Sequence, residues 1–216
     1  MQNVKTRTTL QAVDHLVYAS PDLYAGIDQI EQSLGVRAIP GGRHLAWGTR
    51  NALLSLGEMT YLEIIAPDLE LPIPVRGRPF GIDTLSAPRL VTWAVKGTNL
   101  DQIVETARNL GLDLGEVSSG SRLQADGTRL EWMLTDLYMP RMDGVIPFFI
   151  DWGASPHPAA CLPKVCNLIA LHLGHPQAER IQNIIANLGL DIQVEMASEP
   201  VLSARIQTPG GILLLS

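Results

Sequence analysis

The chain has 216 residues, of which 46% are hydrophobic and only 18% charged. That balance excludes a disordered chain, and a chain of this length buries about 70% of its unfolded surface without needing a metal or disulfide to fold. Sixteen basic against 22 acidic residues give a net charge of −6, and with no Lys/Arg run to hold phosphates, nucleic acid is not an expected partner.

Cys161 and Cys166 are the only thiols. They form neither a CxxC zinc signature nor a disulfide framework. The polar N-terminus shows no signal peptide. No apolar run reaches the ~18 residues of a membrane helix. A soluble, cytoplasmic protein with no membrane partner is therefore expected.

In chain order, residues 13–19 read as a strand ending at Ser20-Pro21-Asp22. Residues 24–34 have helical spacing, with Asp22 as N-cap and Gly35 as stop. Pro40-Gly41-Gly42 signals a turn or bulge. Residues 51–56 and 60–67 read as two strands. The order then recurs. A strand at 89–96 is followed by a helix at 100–110 closed by Gly111, a hairpin around Asp126-Gly127 and a strand at 146–152. A third pass has a strand at 165–173, a helix at 178–188 ended by Gly189, and short strands at 193–196, 201–207 and 212–215.

The three helix stops, Gly35, Gly111 and Gly189, are 76 and 78 residues apart. A Leu-Gly helix end alone is common. Near-constant spacing with a repeated element order points to three β-α-β-β-β modules, at approximately 10–68, 88–153 and 164–216. None is large enough to be comfortable alone, so one continuous pseudo-repeat domain over 1–216 is expected. Pro67–Pro88 and Gly153–Pro163 read as linkers.

Several residues invite a chemical reading. Glu63 lies in the apolar run YLEII, where an unpaired carboxylate costs several kcal/mol. It must be paired, protonated, metal-bound or open to a wet cavity. His15 is either a hydrogen-bonded core histidine or a ligand and proton carrier. His44 follows a glycine pair that lets backbone approach closely. With His15 and Glu63 it would complete a 2-His-1-carboxylate set; the plainer alternative is a residue of the rim. Gly48-Thr49-Arg50-Asn51 reads as a turn, with Thr49 and Asn51 also able to orient a polar ligand. Arg122 and Arg129 flank the DG hairpin; either a solvated face or recognition of an anion follows. Asp151, between Ile150 and Trp152, repeats the setting of Glu63, or else caps the turn before Gly153. Trp47, Trp93, Trp132 and Trp152 read first as core, with one or two, such as Trp152, walling a pocket. His157, His172 and His175 receive no role.

The segments DHLVYASPDL (14–23), LGVRAIPGGRHLAWGTRNALLSLG (34–57), TYLEIIAPD (60–68), SRLQADGTRLEW (121–132) and PFFIDWG (147–153) resemble the glyoxalase-like family of the vicinal oxygen chelate superfamily. GGRH…GTRN followed by YLE is the most specific part. The resemblance implies an α+β fold of tandem βαβββ modules, with modules 1 and 2 forming a barrel-like cleft and a third, shorter βαβββ-like module. It also implies metal ligands on the first and last strands of each module. His15 and Glu63 match those of module 1. Overlaying the helix stops puts Val91 opposite His15, so the second histidine is missing, while Asp151 falls near the second carboxylate. The implied site is catalytic Glu63 and His15, a divalent ion (Zn, Fe, Mn or Ni) on His15, Glu63, His44 and Asp151, and substrate contacts from His44, Thr49, Asn51, Arg122, Arg129 and Trp152. The expected function is binding and conversion of a small polar or anionic metabolite, by isomerase, lyase or dioxygenase chemistry. The alternative is a protein that sequesters a small molecule without metal or catalysis. Either is compatible with a monomer or homodimer.

Overall fold

A computed structural model describes residues 9–124 and 126–216. The first module runs β1 (Val13–Ala19), α1 (Leu23–Leu34), β2 (Ile39–His44), β3 (Thr49–Ser55) and β4 (Tyr61–Pro67). The second runs β5 (Arg89–Lys96), α2 (Leu100–Asn109), β6 (Ser118–Gln124), β7 (Arg129–Leu134) and β8 (Phe148–Asp151). These eight strands close into a barrel in the order β1-β4-β3-β2-β6-β7-β8-β5. The third set, β9 (Asn167–His175), α3 (Ala178–Asn187), β10 (Val194–Met196), β11 (Val201–Thr208) and β12 (Gly211–Leu215), forms a separate four-stranded sheet.

Local chemistry sets these limits. The Asp22 carboxylate accepts from the Ala25 N–H at 2.9 Å, and Gly35 closes α1 in the left-handed conformation (φ 70°). The other two stop glycines, Gly111 and Gly189, also have positive φ. β1 and β4 are buried along their whole length, so neither shows apolar–polar alternation. Their alternate residues still face two different cores. Leu16, Leu62 and Ile64 pack outward with α1, whereas Val17, Ala19 and Ile65 face the barrel interior.

The repeated element order does not extend to strand pairing in the third set. In module 1 the first strand pairs in parallel with the last, β1 with β4, and β5 with β8 repeats this. In the third set β9 pairs in parallel with β10 and antiparallel with β11, leaving β12 as an edge. The cause is local. β10 is only three residues long, and the α3 crossover returns it directly beside β9. This sheet and its helix share a buried cluster with the barrel's outer layer: Ile181 of α3 and Ala204 and Ile206 of β11 belong with Leu16 and Trp93.

Pro40-Gly41-Gly42 lies inside β2 as an irregularity between Pro40 and Arg43. The sequence expectation of a turn at residues 48–51 is corrected: the turn lies three residues earlier, at 45–48. The turn ends at Gly48, and Thr49 already opens β3. No helix among the described residues is long and apolar enough to cross a membrane.

Candidate functional site

Inward-facing side chains of both modules line a narrow cavity of about 30 Å³ inside the barrel. Its polar side comes from module 1 and β6: His15 (β1), His44 (β2), Asn51 (β3), Tyr61 and Glu63 (β4), and Arg122 (β6). Its apolar side holds Trp132, Trp152, Phe148 and Ile150, with Trp47 and Phe80 from connecting segments.

Glu63 is 8% exposed and is the carboxylate at the centre. The Asn51 amide donates to its Oε1 at 2.5 Å. His15 Nε2 stands 3.7 Å from Oε2, and His44 Nε2 stands 3.8 Å from Oε1. The two histidines are prepared differently. His15 Nδ1 meets Asp14 Oδ1 at 2.7 Å, and its ring stacks on Tyr61 with centroids 4.6 Å apart. Asp14 is fully buried. It also meets His157 Nε2 at 3.1 Å and accepts from the Trp152 indole at 3.1 Å. Burial pushes the Asp14 carboxyl up, but hydrogen bonds and charge from His15 and His157 outweigh it and hold the group well below the usual carboxylate range. A permanent anion therefore fixes His15 with Nε2 facing Glu63.

His44 instead bonds through Nδ1 to the Thr49 hydroxyl at 2.9 Å. Burial pushes its pKa down to about 4; Glu63 opposes this, while Arg122 and His15 add to it. His44 is thus neutral near pH 7. The sign is clear: the folded value lies below the ordinary 6.5, so acidification from about pH 6.5 to about pH 4 protonates the unfolded chain first and destabilises the fold. In an NMR pH titration the His44 ring is expected to stay unprotonated from pH 8 down to pH 5. A midpoint near 6.5 would contradict its burial.

Arg122 is 4% exposed and has no carboxylate within ion-pair distance among the described residues. Its Nη1 donates to Asn51 Oδ1 at a long 3.4 Å, and its Nε is buried without a partner. A guanidinium left this way inside a cavity is ready for an anion. The glycine pair makes room for the cluster. A Cβ on Gly41 would collide with Asn51 Oδ1, and the Gly42 N–H donates to that same oxygen at 2.9 Å.

The structure gathers His15, His44, Asn51, Glu63, Arg122 and Trp152 around one space, with Thr49 supporting His44 from behind. Asp151 and Arg129 lie elsewhere. On β8, Phe148 and Ile150 face inward, so Asp151 faces out and accepts from the Gly153 N–H at 2.9 Å. On β7, Leu130, Trp132 and Leu134 face inward and Arg129 is exposed. Both line an outer groove. In the β1–β5 pairing His15 stands beside Ala94. The inward β8 position nearest in setting to Glu63 carries Ile150, so module 2 offers walls rather than ligands.

A divalent ion fits this cluster in donor type. His15, His44 and Glu63 are a 2-His-1-carboxylate set, and Asp14 behind His15 is the usual outer partner of a metal-binding histidine. Among the described residues no three His, Cys, Asp or Glu form a ready-made ion-holding group.

Sequence reasoning missed three participants. Asp14 was hidden beside the more conspicuous His15. His157 comes from the Gly153–Pro163 segment, where a short 3-10 turn at Pro158–Cys161 sets it against Asp14. Phe80 comes from the Pro67–Pro88 segment. Neither segment carries a periodic signal, so only tertiary contact reveals them.

A sequence model of the glyoxalase-like domain matches residues 13–189. No curated protein matches in sequence. Among solved structures, a hypothetical protein from Staphylococcus aureus is 15% identical over 94% of this chain and 83% of its own, with a TM-score of 0.56. A methylmalonyl-CoA epimerase from Mycobacterium tuberculosis is 19% identical over 74% of this chain and 98% of its own, with a TM-score of 0.42. With the family model spanning both halves of the barrel, the chain belongs to the glyoxalase-like family of the vicinal oxygen chelate superfamily.

Proposed function

We propose that the protein binds a small carbonyl compound with an anionic group inside the barrel and moves a proton at the carbon beside the carbonyl. The carrying observation is Arg122: a buried guanidinium without a carboxylate partner among the described residues, linked through Asn51 to a carboxylate flanked by imidazoles. Arg122 takes the anionic group. The aromatic walls exclude water and strengthen each polar contact. Glu63 removes the proton, the C–H pair moves into the enolate, and the charge settles on the carbonyl oxygen. The Asn51 amide holds the Glu63 carboxylate in place. His15, with its Nδ1–H held by Asp14, relays the proton from Glu63 or returns it.

The Asp14–His15 contact also supports a version with a bound divalent ion on His15, His44 and Glu63. When present, the ion would supply Lewis-acid stabilisation of the enolate oxygen.

The test follows solvent deuterium entering a panel of short 2-oxo acids and malonate-type acids by proton NMR, with chelator-treated and metal-supplemented protein in parallel. Exchange in at least one acid, lost in Arg122→Gln, is expected. Saturable binding without exchange in any arm would instead make the protein a sequestering one. Absence of both would reject the proposal.

A further inference from the structure

Beside the barrel cavity runs a larger open groove, lined by β5 and by the segments around Arg76–Gly81 and Leu137–Gly144. Phe80 and Leu137 line both spaces, so a single layer of side chains divides them. The groove is strongly basic for so acidic a chain: Arg76, Arg78, Arg89 and Arg141 face it, against Asp143 alone. Arg76 is neutralised by Asp136 at 2.9 Å and Arg78 by Asp83 at 2.6 Å. Arg89 and Arg141 have no ion-pair partner among the described residues.

Arg141 is 6% exposed. Its two terminal nitrogens donate to the backbone carbonyls of Asp136, Leu137 and Met139, which fix the guanidinium without cancelling its charge. Its Nε is buried with no partner. Thr92, 3% exposed, has a buried hydroxyl that also lacks one. Two such orphans on one groove are costly unless something else satisfies them.

The backbone around the groove is strained in the same place. Among the described non-glycine residues with positive φ, Phe80 (62°), Met142 (50°) and Asp143 (56°) all line it. A left-handed backbone is costly for a residue with a side chain, and such strain concentrates at ligand sites. Gly144 lets this segment press against β5, because a Cβ there would collide with the Val91 carbonyl oxygen.

We propose that this groove is an anion subsite in which Arg89 and Arg141 hold a phosphate or carboxylate that also accepts from the Thr92 hydroxyl. It takes the anionic tail of the ligand whose reactive end occupies the barrel, with Phe80 between the two. The tail assignment rests on the barrel reading above; anion binding by the groove does not.

Calorimetric titration of the full chain with inorganic pyrophosphate and, separately, succinate tests it. Saturable binding of at least one probe is expected, weakened tenfold or more by Arg89→Glu and several-fold by the near-isosteric Thr92→Val. Preference for pyrophosphate assigns a phosphate tail, and preference for succinate a carboxylate. Arg122→Gln should leave this binding within twofold, so failure of the barrel proposal and of the groove proposal are separately visible. No binding of either probe overturns the subsite. So does binding that ignores both groove variants, or that follows Arg122 instead, which would place the anion in the barrel. Melting temperatures of the variants exclude misfolding as the cause of a loss.

Discussion

Glu63→Gln is expected to lower proton exchange by a factor of 10²–10⁴, the usual worth of a positioned general base, while the anionic ligand still binds. The change is close to isosteric. The Asn51 amide, now 2.5 Å from the carboxylate, still finds an oxygen acceptor in a glutamine amide. What disappears is the group that takes the proton. Because Arg122 then faces one negative charge fewer in the cavity, affinity for an anion should hold or rise. A loss of exchange with unchanged or tighter binding separates base chemistry from simple disruption of the site. Exchange within threefold of the parent protein would remove Glu63 from the base role and leave His15 as the only candidate.

The second large effect belongs to Asp14→Asn. Asp14 has three partners, His15, His157 and the Trp152 indole, and is wholly buried. Removing one member of a buried charged network costs about 3–5 kcal/mol. For a chain of this size that lowers the melting temperature by on the order of 10 °C. The pH dependence has a fixed sign. The folded carboxyl is held below its unfolded value of 3.8, so its stabilising contribution is complete above about pH 4 and is lost as pH falls further. The stability gap between parent and variant should therefore be constant from pH 7 to about pH 5 and narrow below pH 4. His44 destabilises both proteins equally in its own window above that. Nitrogen-15 shifts of the His15 ring supply a second readout, because an amide in place of the carboxylate no longer demands a proton on Nδ1. A gap that widens in acid would show that Asp14 is not an anion in the fold.

The barrel was legible because duplication leaves its mark at places with hard local rules. Gly35, Gly111 and Gly189 each stop a helix for a conformational reason that any sequence must obey. Glu63 was legible because a carboxylate inside an apolar strand has few ways to be tolerated. Asp151 looked the same in sequence and is not, because a shift of one position along a strand reverses the face. Ile150 took the inward place, and Asp151 went to the turn. Arg122 and Arg129 could not be told apart without knowing the register of β6 against β7. His157 and Phe80 were illegible for another reason. Each sits in an irregular segment whose course is decided by what it covers, and nothing in its own neighbours states what that is. The third sheet shows the limit of element order itself, since the same sequence of elements pairs differently there, with the three-residue β10 at one edge beside β9 and β12 at the other.

Barrel closure depends on two seams of very unequal strength. β1 and β5 are joined over six residue pairs, whereas among the described residues β2 and β6 meet only at Gly42 with Gln124 and Arg43 with Leu123. A backbone opening at the second seam breaks few hydrogen bonds, and two of its flanking residues are His44 and Arg122. The hydrogen-bonded pair of Asp14 and His15 stands on the opposite, well-tied seam. An opening of the wall there would expose the Arg122 side of the cavity without loosening the side that holds His15 against Asp14. Tolerance for motion and demand for alignment are assigned to different joints of one closed sheet.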